Sequence, residues 1–233
     1  MLYNEVMDKN FRVRVIVGAC IFVVAIISLY TFDSIPFKII FGVFALISLI
    51  ELLSFFTKKH SWFNFVLAAI EILFLVGVVL FVAQTNVDYF WYVILGVPGY
   101  DSFAYLFGKI FGGKIFKKSR PFPRISKNKT WEGTILGLLM SIGLVLIKMA
   151  AGGDFATDWM YILCGPLALI GDLYESLLKR KFAVKDSNEI LIKNKFFRGL
   201  EMAVGGSEGH GGFLDRIDSA AFTCSVLLII ILI

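Results

Sequence analysis

The sequence predicts an all-α polytopic membrane protein with about seven transmembrane helices, its N-terminus in the cytoplasm and its C-terminus outside. Three observations lead there. The mean hydropathy is +0.80 and 58% of the 233 residues are hydrophobic, 24 of them Phe, more than a soluble domain of this size buries. Seven mostly apolar stretches each approach the roughly 20 residues that cross a bilayer core of about 30 Å. Lys and Arg collect in alternate connections, the pattern left when basic loops stay in the cytoplasm.

The stretches lie near residues 13–31, 36–56, 62–83, 88–108, 133–151, 157–175 and 217–233. The first follows Lys9, Arg12 and Arg14, as the apolar core of a signal peptide does, but no small-residue cleavage site follows it, so it reads as a retained helix. Residues 1–88 then form a three-helix transmembrane scaffold with short loops. Its interior charges are Glu51 and Glu71, and a carboxylate inside a span is costly unless it faces a partner or a cavity. Glu51, within two turns of Lys58, reads as interfacial, and neither acid is assigned to a site. Cys20, Cys164 and Cys224 fall in apolar segments without paired spacing, as buried structural thiols do.

Residues 89–233 form a second transmembrane region, expected to be the catalytic one from the motifs below, with cytoplasmic loops 109–132 and 179–216. In the fourth span Gly96-Val97-Pro98-Gly99-Tyr100-Asp101 is expected to kink or break the helix beside a polar cavity. A basic loop, Arg120 to Thr130, runs into the fifth span. Ser126 and Thr130 are candidate helix caps and Glu132 suits a first turn, while Lys127 and Lys129 beside free amides make a phosphate cradle. Basic connections (the N-terminus, Lys58-Lys59-His60, Lys109–Lys129, Lys179–Arg198) alternate with acidic ones free of Lys and Arg (Thr31–Ile35, Gln84–Asp88, Gly152–Asp158). Every motif-like segment therefore falls on the cytoplasmic side. The net charge of +5 gathers there, suited to anionic headgroups or a nucleotide, and no nucleic-acid partner is expected.

The sixth span ends in Gly171-Asp172-Leu173-Tyr174-Glu175-Ser176-Leu177-Leu178-Lys179-Arg180. Asp172, Glu175, Ser176 and Lys179 share one helical face, and Gly171 leaves room for a neighbouring helix or a ligand. An ordinary ion pair between Glu175 and Lys179 explains part of that pattern. Asp215 and Asp218, three apart, share a face at the start of the last span, after the glycine-rich turn Gly209-His210-Gly211-Gly212. Carboxylates with hydroxyls and amines are hard donors of the kind Mg²⁺ prefers. If Asp172 and Asp215 converge, they form a minimal metal site for transfer chemistry on phosphates.

Ser176-Leu177-Leu178-Lys179-Arg180, then Lys185-Asp186, and later His210-Gly211-Gly212-Phe213-Leu214-Asp215-Arg216-Ile217-Asp218 resemble the signature of the phosphatidate cytidylyltransferases, the CDP-diacylglycerol synthases. Asp101-Ser102-Phe103-Ala104-Tyr105 with Gly108-Lys109, and Ser126 to Gly133, are similar to that family's other polar blocks. The resemblance covers residues 98–233. It implies attack of phosphatidic acid on the α-phosphorus of CTP, giving CDP-diacylglycerol and pyrophosphate with Mg²⁺, in a bacterial inner or plasma membrane and commonly as a homodimer.

It implies Asp172 and Asp215 as metal ligands, and Ser176, Lys179, Arg180, Lys185, Asp186 and Asp218 as further catalytic positions. Asp101, Ser126, Lys127, Lys129, Thr130, Glu132, His210, Gly211, Gly212 and Arg216 would hold nucleotide and phosphate. One departure stands out: residues 188–208 separate the Lys-Asp-Ser element from the His-Gly-Gly turn, which the family keeps close. Alternatives are a related CTP-dependent enzyme acting on another lipid, such as a CDP-archaeol synthase or a polyprenol kinase, and a non-enzymatic transporter or scaffold.

Overall fold

The computed structural model describes residues 35–57, 61–85, 87–117, 120–184 and 214–233. The expected first span, Cys20, Lys185, Asp186, His210, Gly211, Gly212 and the 188–208 segment lie outside the described residues. The described chain is helical, with no strand among its residues: α1 (Ile35–Ser54) with a 3-10 turn (Phe55–Thr57), α2 (Trp62–Gln84), α3 (Val87–Phe111), α4 (Trp131–Ala150), α5 (Phe155–Asp158), α6 (Cys164–Lys181) and α7 (Leu214–Leu232). Three segments among these residues are long and apolar enough to cross a membrane: Trp62–Gln84, Trp131–Ala150 and the composite Phe155–Lys181. Their outward faces carry exposed side chains such as Leu73, Leu139, Ile147 and Ile170, which suits lipid as the surrounding medium.

The expected sixth span, 157–175, is not one regular helix. α5 ends at Asp158, a 3-10 stretch Trp159–Leu163 follows, and α6 begins at Cys164. The interruption is organised by the buried Asp158. Its carboxylate accepts hydrogen bonds from Tyr92 Oη at 2.7 Å, Asp154 N at 3.1 Å and Thr157 Oγ1 at 3.1 Å. Of the kink or break expected near Pro98, the break is absent: α3 runs through the proline as one helix from Val87 to Phe111. Ser141 Oγ on α4 donates to the Gly96 carbonyl at 2.7 Å, supplying a polar partner beside the proline.

α3 and α4 make the most extensive helix pair, and α7 packs between α2 and α6. Backbone proximity at the first pair depends on small residues. A Cβ on Gly133 would lie 2.5 Å from the Ala104 carbonyl oxygen, and one on Gly137 would lie 2.8–2.9 Å from Ala104. The α6–α7 contact is similar, since a Cβ on Gly171 would lie 2.9 Å from Ser219 Cα. Thus Gly171 makes room for a neighbouring helix, beside Asp172. Cys164 and Cys224 are buried free thiols, as expected of packing residues.

One end of the bundle collects the C-termini of α1, α3 and α6 and the N-termini of α2, α4 and α7. Side chains cross-link these ends: Glu51 Oε2 accepts from Leu214 N at 2.8 Å, Asn64 Nδ2 donates to the Lys181 carbonyl at 3.1 Å, and Glu132 Oε1 accepts from Ile115 N and Phe116 N at 3.0 Å each. Glu51 is fully buried, so its carboxylate lies inside the helix packing and not on the surface.

Gly137→Val is expected to lower the thermal midpoint by several degrees, because overpacking a backbone contact costs about 1–3 kcal/mol. Gly143→Ala in the same helix, where a Cβ would meet nothing within 4 Å, is expected to leave it unchanged. Thermal unfolding of both variants in detergent checks the pair.

Candidate active site

A cavity of about 660 Å³ opens at this cross-linked end. α3 contributes Tyr100, Asp101, Ala104, Tyr105, Gly108 and Lys109; the α3–α4 connection contributes Ser126, Asn128, Lys129 and Thr130. Thr134 of α4, Asp172 of α6 and Asp215, Asp218 and Ser219 of α7 complete the lining. Side chains from four helices and one loop therefore converge on a single polar chamber.

Each group is set by a local reason. Thr130 is the N-cap of α4, its Oγ1 accepting from Gly133 N at 3.1 Å, and this fixes the loop where Lys129 departs. Lys129 ion-pairs with the Asp172 carboxylate across the cavity and lies 5.4 Å from the centroid of the Tyr100 ring. Burial alone would lower the Lys129 pKa. The Asp172 carboxylate and its hydrogen bond oppose that, and the net shift is upward. Lys129 is thus held as a cation at neutral pH.

A second cation sits between α6 and α7. Lys179 Nζ lies 2.6 Å from Glu175 Oε2 and 2.8 Å from Asp215 Oδ1. The Glu175 side chain is only 1% exposed and its Oε1 has no hydrogen-bond partner among the described residues. The i,i+4 pair that the sequence suggested is therefore present, but it is one arm of a triad reaching Asp215 on the neighbouring helix. Breaking a buried pair leaves an uncompensated charge, so the triad is a strong constraint on how α6 and α7 meet.

Of the residues singled out from sequence, the structure brings Asp101, Ser126, Lys129, Thr130, Asp172, Asp215 and Asp218 to the cavity wall. Lys127, Ser176, Lys179 and Arg180 lie outside the lining: Lys127 is exposed, Lys179 acts from behind Asp215, and Arg180 Nε donates to the Ile125 carbonyl, bracing the loop. Glu132 also lies outside it. Buried and turned towards the end of α3, it clasps the amides of Ile115 and Phe116. The side chain of Arg216, with Lys185, Asp186, His210, Gly211 and Gly212, is outside the described residues.

Sequence reasoning placed Glu175 on one face with Asp172 and Lys179 but left it out of the site; it lies behind the cavity wall, paired with Lys179. The same reasoning missed Tyr100, Tyr105, Lys109, Asn128, Thr134 and Ser219, of which Tyr105 and Lys109 share the helical stripe of Asp101 and Gly108.

The donor chemistry fits a hard divalent cation, because Asp101, Asp172, Asp215 and Asp218 bring four carboxylates to one chamber. Among the described residues no three acidic, His or Cys side chains converge as a ready-made metal cluster. Asp172 and Asp215 are instead each neutralised by a lysine. Such paired charges suit a site that receives a cation together with an anionic ligand.

This arrangement defines a class: a helical membrane protein with an acidic and basic chamber at one end of its bundle. Residues 5–193 match the sequence model of the Cytidylyltransferase family, and the chain belongs to that family. It is 29% identical to the phosphatidate cytidylyltransferase of Rickettsia felis across 95% of this chain and 92% of that protein. It is 35% identical to the Staphylococcus haemolyticus phosphatidate cytidylyltransferase across 78% of this chain and 65% of that protein. A third relative, the Helicobacter pylori phosphatidate cytidylyltransferase, is 40% identical across 49% of this chain, and the match spans only 38% of that protein's length.

Lys179→Met is expected to destabilise the protein by about 3 kcal/mol, since Glu175 and Asp215 then share a buried junction without their cation. Adding Glu175→Gln is expected to restore much of that loss. Thermal unfolding of the two single variants and the double variant in detergent measures the coupling.

Proposed function

We propose that this chain is a CTP:phosphatidate cytidylyltransferase, which transfers the cytidylyl group of CTP to phosphatidic acid. The observation that carries the reading is the chamber shared by α3, α4, α6 and α7, where four carboxylates meet Lys129, Ser126 and Thr130 in a membrane-type chain of the cytidylyltransferase family. The bond chemistry is simple. A phosphate oxygen of phosphatidic acid attacks the α-phosphorus of CTP, the bond to the β-phosphate breaks, and pyrophosphate leaves. A phosphate monoester is already anionic near neutral pH, so the attacking group needs no strong general base.

What the protein must supply is position and charge compensation. Lys129, with Ser126 and Thr130 at the start of α4, suits the phosphate chain of the nucleotide. Asp172 and Asp215 would hold Mg²⁺, with Asp218 and Asp101 beside them. Bound there, the ion would offset charge on the triphosphate. Lys179 keeps Asp215 oriented through their 2.8 Å contact. Tyr105, which lines the chamber, is 72% exposed, and its neighbours Leu106 and Ile110 are exposed apolar groups. This favours a lipid substrate that enters sideways from the bilayer while CTP enters from water.

In this reading the protein crosses a bacterial inner or plasma membrane seven times, N-terminus inside and C-terminus outside, and works as a homodimer. The chamber then faces the cytoplasm, where CTP is found.

Purified protein supplied with labelled CTP, phosphatidic acid and Mg²⁺ is expected to form CDP-diacylglycerol and pyrophosphate, and to stop when EDTA removes the metal. Asp172→Asn and Asp215→Asn are each expected to lower turnover by at least about a thousandfold while leaving the protein folded. Wild-type turnover in either variant would refute the metal assignment. No CDP-lipid from the wild-type protein would refute the proposed activity.

A further inference from the structure

We infer that Glu51, on α1, is a positioning residue for the candidate active site, setting the first turn of α7 and with it Asp215 and Asp218. The inference rests on the proposed function only for its effect on turnover. Its structural basis is one contact that joins the N-terminal scaffold to the acidic helix. Glu51 Oε2 accepts a 2.8 Å hydrogen bond from the backbone N–H of Leu214, the first residue of α7. Both residues are fully buried.

The amides of a helix's first turn have no partner within the helix, and one left unpaired away from water is expensive. Leu214 is one residue before Asp215 and four before Asp218, which lies on the next turn. Fraying of this first turn would rotate Asp215 away from Lys179, 2.8 Å distant, and out of the cavity wall it shares with Asp172. A side chain from a different helix prevents that fraying. The bond also spans 163 residues of sequence, so it fixes α7 relative to the scaffold and not only to its immediate neighbours. Asp215 is in addition held from the α6 side by Lys179, and Gly171 lets α6 lie against Ser219. Two helices therefore locate the start of α7 from two directions, α6 by charge and α1 by an acceptor.

Reach separates this role from a purely charged one. Glu51→Gln keeps an oxygen at the same distance and removes the charge, whereas Glu51→Asp keeps the charge and withdraws the oxygen by one methylene. The expected result is a smaller loss of kcat for Glu51→Gln than for Glu51→Asp. Glu51→Asp is expected to lose about tenfold or more in kcat, the scale of one hydrogen bond to a charged group, with a raised Mg²⁺ requirement and little change in KM for CTP. Hydrogen–deuterium exchange over residues 214–218, measured on the full chain in detergent, is expected to show faster exchange in Glu51→Asp and wild-type exchange in Glu51→Gln.

Wild-type exchange in Glu51→Asp would overturn the anchoring role. Faster exchange with wild-type kcat and Mg²⁺ requirement would overturn the positioning role, and equal losses in both variants would overturn the acceptor role. Because exchange is read without substrate, it still decides the anchoring if the wild-type protein makes no CDP-lipid, an outcome that counts against the proposed function alone.

Discussion

The junction of α6 and α7 places Glu175 and Asp215 around one amine, and its tolerability depends on Lys179 standing between them at 2.6 and 2.8 Å. Two carboxylates in a water-poor contact repel one another, and burial favours neither charge. With the ammonium in place, the negative charge becomes an asset: the helices are drawn together at Gly171, and Asp172 and Asp215 are delivered to the same chamber wall. The charges that make the junction costly are the ones a divalent ion and a nucleotide would exploit.

The other half of the chamber is built from backbone proximity. Ala104 of α3 lies against Gly133 and Gly137 of α4, and this closeness lets Asp101 and Tyr105 look across at the Thr130 cap and Lys129. The loop between these helices is braced twice from outside the chamber, by Glu132 at the amides of Ile115 and Phe116 and by Arg180 at the Ile125 carbonyl. The polar apparatus thus has two layers, with residues that face the cavity and residues that hold the backbone behind them. Glu51 belongs to the second layer, although it comes from the scaffold.

Much of this was legible in the residues. Apolar runs located α1 to α4 and α7 to within a few positions, because the length of a membrane-type helix is set by hydrophobicity and little else. The interruption before α6 was not, since Asp158 gathers bonds from its neighbours Asp154 and Thr157 and from Tyr92, 66 positions away on α3, and such a distant partner leaves no periodic trace. Pro98 pointed to a kink or a break, and α3 does not break there. In the site, Asp172 and Asp215 could be paired from motif resemblance, but their lysine partners are 43 and 36 positions away and only the fold connects them. Glu132 read as a phosphate-side residue because helix starts favour acids, while its actual partners are loop amides. Glu51 carried the right signal, a carboxylate too costly to bury without purpose, yet the contact that ties it to α7 is with a backbone N–H that no side-chain pattern reveals.

The reading of this chain as a CTP-dependent lipid enzyme comes down to whether Asp172 and Asp215 act on one ion together with the nucleotide. Electron paramagnetic resonance of Mn²⁺, used in place of Mg²⁺, tests that directly on purified protein with and without CTP. The account predicts CTP-dependent Mn²⁺ binding by the wild-type protein that is lost when either aspartate becomes asparagine. Undiminished CTP-dependent binding in both single variants would contradict it.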